Sequence, residues 1–258
     1  MAENVNSNTL GKKIFFLHPS TLTQNQVISE LAQEEFEVYV VKDEDKLRKI
    51  LKNYPDSIVF ASINEGMKES AWEEYIRDIT GNPETSGVQI GIIASTLIDE
   101  SIKHKYTEQI KVPCDFTIIK SDFVAATKRL TEILNGVNAK GRRKYIRMEM
   151  NHDPNATVNL SMNGTFVTGT IKDISVVGFS CSFTNDPGLV KNSLFGDIQI
   201  RLQSQLLKAE GIVFGSRMDG TEKVYVILFT QRVDPGVRSK IRTYIQAHLQ
   251  GRMDQEFK

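Results

Sequence analysis

The sequence predicts two folds in series. A doubly wound α/β domain with a parallel five-stranded sheet comes first, and an antiparallel six-stranded β-barrel with a C-terminal helix follows. Three observations predict this. Apolar, β-branched runs alternate with helical patterns up to about residue 134. Short strand patterns broken by turn residues then fill residues 157–229. The charge changes sign between the two: residues 1–140 carry 16 basic and 21 acidic side chains, residues 141–258 carry 16 and 11. A formal net charge of zero over 258 residues hides that reversal, which two domains of different function would show. The length suits one large or two ordinary domains, and the basic half is the better place to seek an anionic ligand.

In the first half, Lys13–Leu17 is a short apolar run ended by His18-Pro19. Leu22, Val27, Ile28 and Leu31 follow at helical spacing, with Thr21 or Thr23 as the expected N-cap. Phe36–Val41 is a second strand, and Leu47, Ile50 and Leu51 mark a helix stopped by Pro55. Ser57–Ala61 is a third strand. Trp72, Tyr75, Ile76 and Ile79 make the next helix, closed by Gly81-Asn82-Pro83. Val88–Ala94, a helix at Ile98–Tyr106, the strand Phe116–Ile119 and the helix Phe123–Leu134 complete the pattern. Strands that alternate with helices in this way pair in parallel through right-handed crossovers. Near-continuous apolar strands fit a sheet buried on both faces, whose crevice lies at the carboxyl ends of the strands.

Asn135–Gly141 is turn-rich and marks the boundary between the halves. The expected division is a disordered 1–11, an α/β domain at 12–136, a linker at 137–147, a barrel at 148–235, and a helix with its tail at 236–258. Barrel strands are expected at Thr157–Met162, Phe166–Ile171, Phe179–Phe183, Ile198–Leu202, Ala209–Phe214 and Val224–Phe229. Asn163-Gly164 is a hairpin signal, since a type I′ turn needs positive φ at both central residues. Val237, Ile241, Tyr244, Ile245 and Leu249 recur at helical spacing and form the closing helix.

In element order and length, residues 11–136 resemble a response-regulator receiver domain. That resemblance implies acidic residues after strand one that hold magnesium, and an aspartate after strand three that accepts a phosphoryl group. Here strand one ends in His18-Pro19, and Ser62 stands where the aspartate is expected. Ser95 or Thr96 matches the family's hydroxyl after strand four. Lys120 matches its lysine, although Ser121 replaces the proline that usually follows. Mg²⁺ wants several hard oxygen ligands, and a serine cannot stand in for the acyl-phosphate carboxylate. The half therefore reads as a degenerate scaffold, with Lys120 and Ser95 left over at strand ends and His18 as an ordinary loop residue.

The second half holds two short motifs. Arg143-Lys144-Tyr145-Ile146-Arg147 is an RxxxR, and Asp173-Ile174-Ser175-Val176-Val177-Gly178 is a DxSxxG that begins 26 residues after Arg147. Singly, the first is a solvated basic stretch and the second a polar bend. In this order, at the entry and on an early strand of a barrel, they resemble the PilZ domain, which implies a receptor for cyclic di-GMP over roughly residues 141–235. The chemistry agrees with that resemblance. Guanidinium groups fork onto phosphates or onto guanine O6 and N7, which suits Arg143 and Arg147. The Asp173 carboxylate suits guanine N1–H and N2–H₂, and Ser175 adds a hydroxyl. Gly178 lets a backbone approach closely and also reads as a β-bulge; the two readings are compatible.

The arginine just before the RxxxR, Arg142, implies by the same resemblance an intercalated ligand dimer, two cyclic di-GMP molecules per chain. Its guanidinium plane is suited to stacking on a base. Some PilZ domains place a base-packing tryptophan after the Gly-x-Val strand. Phe214-Gly215 stands there, and the one tryptophan, Trp72, lies in the other half.

The expectation is a cytoplasmic, non-enzymatic cyclic di-GMP effector with no cofactor, acting on a downstream protein the sequence does not name. A phosphorylation-dependent regulator is disfavoured by Ser62. A nucleic-acid-binding barrel is disfavoured because Tyr145 alone interleaves with the basic residues at 142–147. No paired carboxylates, nucleophile elbow or P-loop points to catalysis, and the histidines at 18, 104, 152 and 248 are scattered. Cys114 and Cys181 are too few for a disulfide framework or a metal cage. No apolar run approaches the ~18–20 residues that span a bilayer, and no secretory signal opens the sequence.

Overall fold

The computed structural model describes residues 11–94, 98–150, 153, 155–162 and 164–258. They fall into two compact units. The first runs up to Lys144 and takes in Gln250–Lys258; the second is Tyr145–Leu249.

The first unit alternates strictly: β1 (Ile14–Leu17), the helical segment α1 (21–33), β2 (Val38–Val41), α2 (Glu44–Asn53), β3 (Ile58–Ser62), α3 (Glu69–Gly81), β4 (Gln89–Ala94), the helical segment α4 (100–110), β5 (Phe116–Ile118) and α5 (Phe123–Gly136). All four strand pairs are parallel, in the order β2-β1-β3-β4-β5. Alternation along β1 and β3 sends Phe16 and Phe60 into one apolar layer with Leu31, Leu130 and Leu134, where the two rings stack at 5.3 Å. Phe15 points the other way and stacks on Tyr39 at 5.3 Å.

The helices begin where short polar side chains replace the missing intrahelical acceptors. Asp43 accepts from the Lys46 N–H at 2.7 Å, and Asp122 from the Ala125 N–H at 2.9 Å. The cap of α1 is Ser20, not Thr21 or Thr23: Ser20 has the extended backbone, and its Oγ accepts from the Thr23 N–H at 3.2 Å. Both α1 and α4 contain π-helical turns, Gln24–Ile28 and Lys105–Ile110. The latter carries α4 past the Tyr106 expected as its end, to Ile110. At the edge strand β2, the Gln250 side chain accepts from the Val40 N–H at 2.9 Å and donates to the Val40 carbonyl at 3.0 Å. One amide thereby satisfies a donor and an acceptor that an edge strand leaves open.

The second unit holds β6 (Met148–Glu149), β7 (Thr157–Met162), β8 (Thr165–Ser175), β9 (Gly178–Ser182), β10 (Leu194–Leu202), β11 (Gln205–Asp219) and β12 (Glu222–Phe229), then α6 (Pro235–Glu256). The pairings β8-β7-β10-β11-β12-β9, closed by β9 on β8, make an antiparallel barrel of six strands. All six strands match expected positions, several of them longer. β6 was not expected; it pairs with β8 outside the ring. Between β7 and β8, Met162 faces Thr165, and Gly164 has φ +80°; Asn163 lies outside the described residues. Ile241, Tyr244 and Ile245 of α6 are buried in the same core as Val158, Phe179 and Ile227, so the helix packs on its own barrel. Of the segment expected to be disordered, all but Gly11 lies outside the described residues.

Candidate ligand site

The site is built from backbone pairing upward. Met148 pairs with Ile174 and Glu149 with Asp173, and the Met150 N–H reaches the Lys172 carbonyl at 2.8 Å. Arg147 immediately precedes β6, and this register delivers its side chain to Asp173. Arg147 Nε lies 3.5 Å from Asp173 Oδ1, with the arginine side chain 50% exposed and the aspartate 14%. The second Asp173 oxygen accepts from the Ser180 hydroxyl, directly opposite on β9. Ser180 is buried, although it alternates with the core residues Phe179 and Cys181. The Cys181 thiol beside it is pushed up to about 12, first by burial and then by the negative charge of Asp173.

The DxSxxG closes a two-residue hairpin in which Ser175 pairs with Gly178. Ser175 is buried; its Oγ donates to the Gly178 carbonyl at 3.2 Å and accepts from the Val177 N–H at 3.4 Å. A Cβ on Gly178 would lie 2.3 Å from the Ile227 carbonyl oxygen and 3.0 Å from Leu228 Cα. The close approach at this glycine is therefore that of β12. The bulge expected there lies instead between Ile171 and Asp173, where Lys172 is the extra residue. It lets β8 turn Asp173 toward Arg147 while Ile171 and Ile174 stay in the core.

The structure thus brings Arg147, Asp173, Ser175 and Gly178 together at one end of the β8–β9 hairpin. Arg142, in the turns after α5, and Arg143, just beyond them, are exposed and fall with the first unit. Two participants were missed by sequence reasoning. Ser180 was findable: once Ser175 and Gly178 close a two-residue hairpin with a bulge at Lys172, the residue opposite Asp173 is Ser180. Arg238 left no signal. From the first turn of α6 its guanidinium donates to the Val176 carbonyl at 2.6 Å and the Thr230 carbonyl at 2.8 Å, anchoring the hairpin turn.

At the carboxyl edge of the first unit's sheet, Ser62 ends β3 and Lys120 follows β5. Ser95 and Thr96 lie outside the described residues. His18 is a packed loop residue, with Nε2 2.8 Å from Glu44 Oε1 and its ring edge-on to Trp72. Among the described residues no cluster of His, Cys, Asp or Glu could hold a metal ion, and no helix is long and apolar enough to cross a membrane.

The second unit is thus a closed six-strand barrel in which Arg147 pairs with Asp173 of the β8–β9 hairpin. Residues 141–247 match the family model of the PilZ domain. Among solved structures, the chain is similar to the PilZ domain with c-di-GMP of YcgR from Escherichia coli, at 17% identity and TM-score 0.37, over 45% of this chain and 96% of that one. It is also similar to the K. pneumonia MrkH–c-di-GMP complex, at 16% identity and TM-score 0.40, over 44% of this chain and 55% of that one. A structure of YcgR in complex with c-di-GMP from Escherichia coli is similar at 15% identity and TM-score 0.40, over 45% of this chain and 50% of that one. No curated protein matches the chain.

Proposed function

We propose that the protein is a non-enzymatic receptor for cyclic di-GMP. The observation that carries this reading is the Arg147–Asp173 pair, which joins the RxxxR to the DxSxxG hairpin within a PilZ domain. In the absence of ligand each charged group holds the other. The arginine side of the pair is half exposed and the contact is long at 3.5 Å, which brings it toward the about 0–1 kcal/mol of solvent-exposed pairs, so a ligand competes for both groups. Cyclic di-GMP then offers a phosphate to Arg147 and a guanine edge to Asp173, and each charge-assisted contact contributes about 1.5–3 kcal/mol.

Arg143 holds a second phosphate oxygen or base edge, while Ser175 and Gly178 keep the hairpin that presents Asp173. Arg142 adds the guanidinium that a pair of stacked ligands requires, giving two nucleotides per chain. Residues 142–147 join the two units, so ordering them on the ligand stiffens the connection and alters what the protein presents to a downstream partner. The receiver-like first unit takes no part in phosphotransfer in this reading.

Equilibrium dialysis of the purified chain tests the proposal. Cyclic di-GMP should be retained at two molecules per chain, whereas cyclic di-AMP and GMP should not be. The Arg142→Leu variant should retain one molecule. Equal retention of all three nucleotides would remove the guanine-specific role of Asp173, and one molecule on the parent would return Arg142 to a linker residue.

A further inference from the structure

The first unit carries a cavity of about 400 Å³ at the carboxyl ends of its strands, among Ser20, Thr23, Ser62, Ile93, Ile119, Lys120 and Phe123. It sits where an open parallel sheet places its ligand crevice, and its size is that of a small-molecule site. Its floor is apolar and buried, formed by Ile93, Ala94 and Ile119. At the rim, Leu22 is 61% exposed, an apolar side chain left in water at the mouth.

Two features mark it as more than a gap in packing. Ser62 is 6% exposed, lines the cavity, and its Oγ has no hydrogen-bond partner. A buried hydroxyl without a partner is costly, and a ligand in this cavity would supply one. The other feature is charge. Lys120 and Glu65 both line the cavity and both are exposed, yet neither forms an ion pair with the other or with another described residue. A cation and an anion are thus held apart at the mouth of an apolar pocket.

We infer that this cavity binds a small zwitterion with an apolar body, that is, an α-amino acid with an aliphatic or aromatic side chain. The carboxylate meets Lys120 and the Ser62 hydroxyl, the ammonium meets Glu65, and the side chain fills the floor over Ile93 and Ile119 and covers Leu22. A simple organic anion would leave Glu65 facing it as a like charge. The absence of a phosphoryl-accepting carboxylate at Ser62 becomes intelligible, since an aspartate there would repel the ligand's carboxylate. This site is independent of the nucleotide site, and its test does not involve cyclic di-GMP.

Saturation-transfer NMR on the full chain is the experiment, with L-leucine and L-phenylalanine as probes. 4-Methylpentanoate, which lacks the ammonium, and leucinamide, which lacks the carboxylate, are the controls. The amino acids should show transfer at millimolar concentration, and each control should bind at least about tenfold more weakly. Lys120→Gln, at an exposed position, should abolish the preference for leucine over leucinamide, and Glu65→Gln the preference over 4-methylpentanoate. Ser62→Ala should weaken leucine about tenfold, with far-UV circular dichroism confirming the fold. No transfer from either amino acid would overturn the inference. So would equal binding of 4-methylpentanoate, or leucine binding unaffected by both charge variants.

Discussion

Asp153 shows what a single buried carboxylate demands of its surroundings. It is 7% exposed, and it is held by the Tyr244 hydroxyl, which donates to Oδ2 at 2.6 Å, and by the Asn155 N–H, which donates to Oδ1 at 2.9 Å. Burial and this bond both raise the Tyr244 pKa, so the phenol stays a donor across the physiological range. Tyr244→Phe keeps the ring and removes the donor. It should cost about 1–3 kcal/mol in a urea unfolding experiment, the price of leaving a buried acceptor short of a partner. A variant as stable as the parent would mean that water replaces the hydroxyl. Tyr244 was legible in the sequence only as an apolar member of the closing helix. Its periodicity placed the side chain, but the partner is 91 residues away, and no local pattern announces a bond across that span.

At the scale of the element, Gly178 and the loop after β9 each make a prediction. Gly178→Ala should force β12 to shift, because the new Cβ would lie 2.3 Å from a backbone oxygen that cannot rotate away. Overpacking of this kind costs about 1–3 kcal/mol, so the variant should melt below the parent even without ligand. An unchanged melting temperature would contradict this packing role for the glycine. In the loop, Asp186 accepts from the Tyr225 hydroxyl, the Gly188 N–H and Lys223. These hold its carboxyl at about 2, below its ordinary 3.8. A depressed folded-state pKa contributes stability that is present above the unfolded value and lost as the pH falls through the folded one. The parent should therefore lose this increment between about pH 4 and pH 2, and Asp186→Asn should show a shallower decline in urea midpoint over that window. Parallel declines would contradict the assignment.

The elements themselves were largely readable. Runs such as Phe36–Val41 and the spacing of Trp72, Tyr75, Ile76 and Ile79 report burial directly, because period two and period 3.6 are set by backbone geometry. What escaped was set by pairing between distant segments. The two-residue β6 is too short to carry a pattern, and the bulge at Lys172 exists only relative to β9. The N-cap of α1 was missed by a single position because Ser20, Thr21 and Thr23 are all capable acceptors, and only backbone conformation chooses among them.

For the whole molecule, the two units answer different questions. The first has the parallel order β2-β1-β3-β4-β5 but presents Ser62 at the end of β3. Incubation with acetyl phosphate and Mg²⁺ should leave no acid-labile phosphate on residues 11–136, read by mass spectrometry; such a phosphate would return this unit to phosphotransfer. The second carries the barrel that matches the PilZ family model and the Arg147–Asp173 pair. The central claim is that this pair opens to receive a nucleotide, and calorimetric titration of the full chain with cyclic di-GMP tests it most directly. The parent should bind, while Arg143→Ala and Arg147→Ala should each bind about tenfold to a hundredfold more weakly, the loss of one charge-assisted contact. Folded variants that titrate like the parent, or a parent that gives no heat of binding and shows no ligand-induced rise in melting temperature, would contradict it.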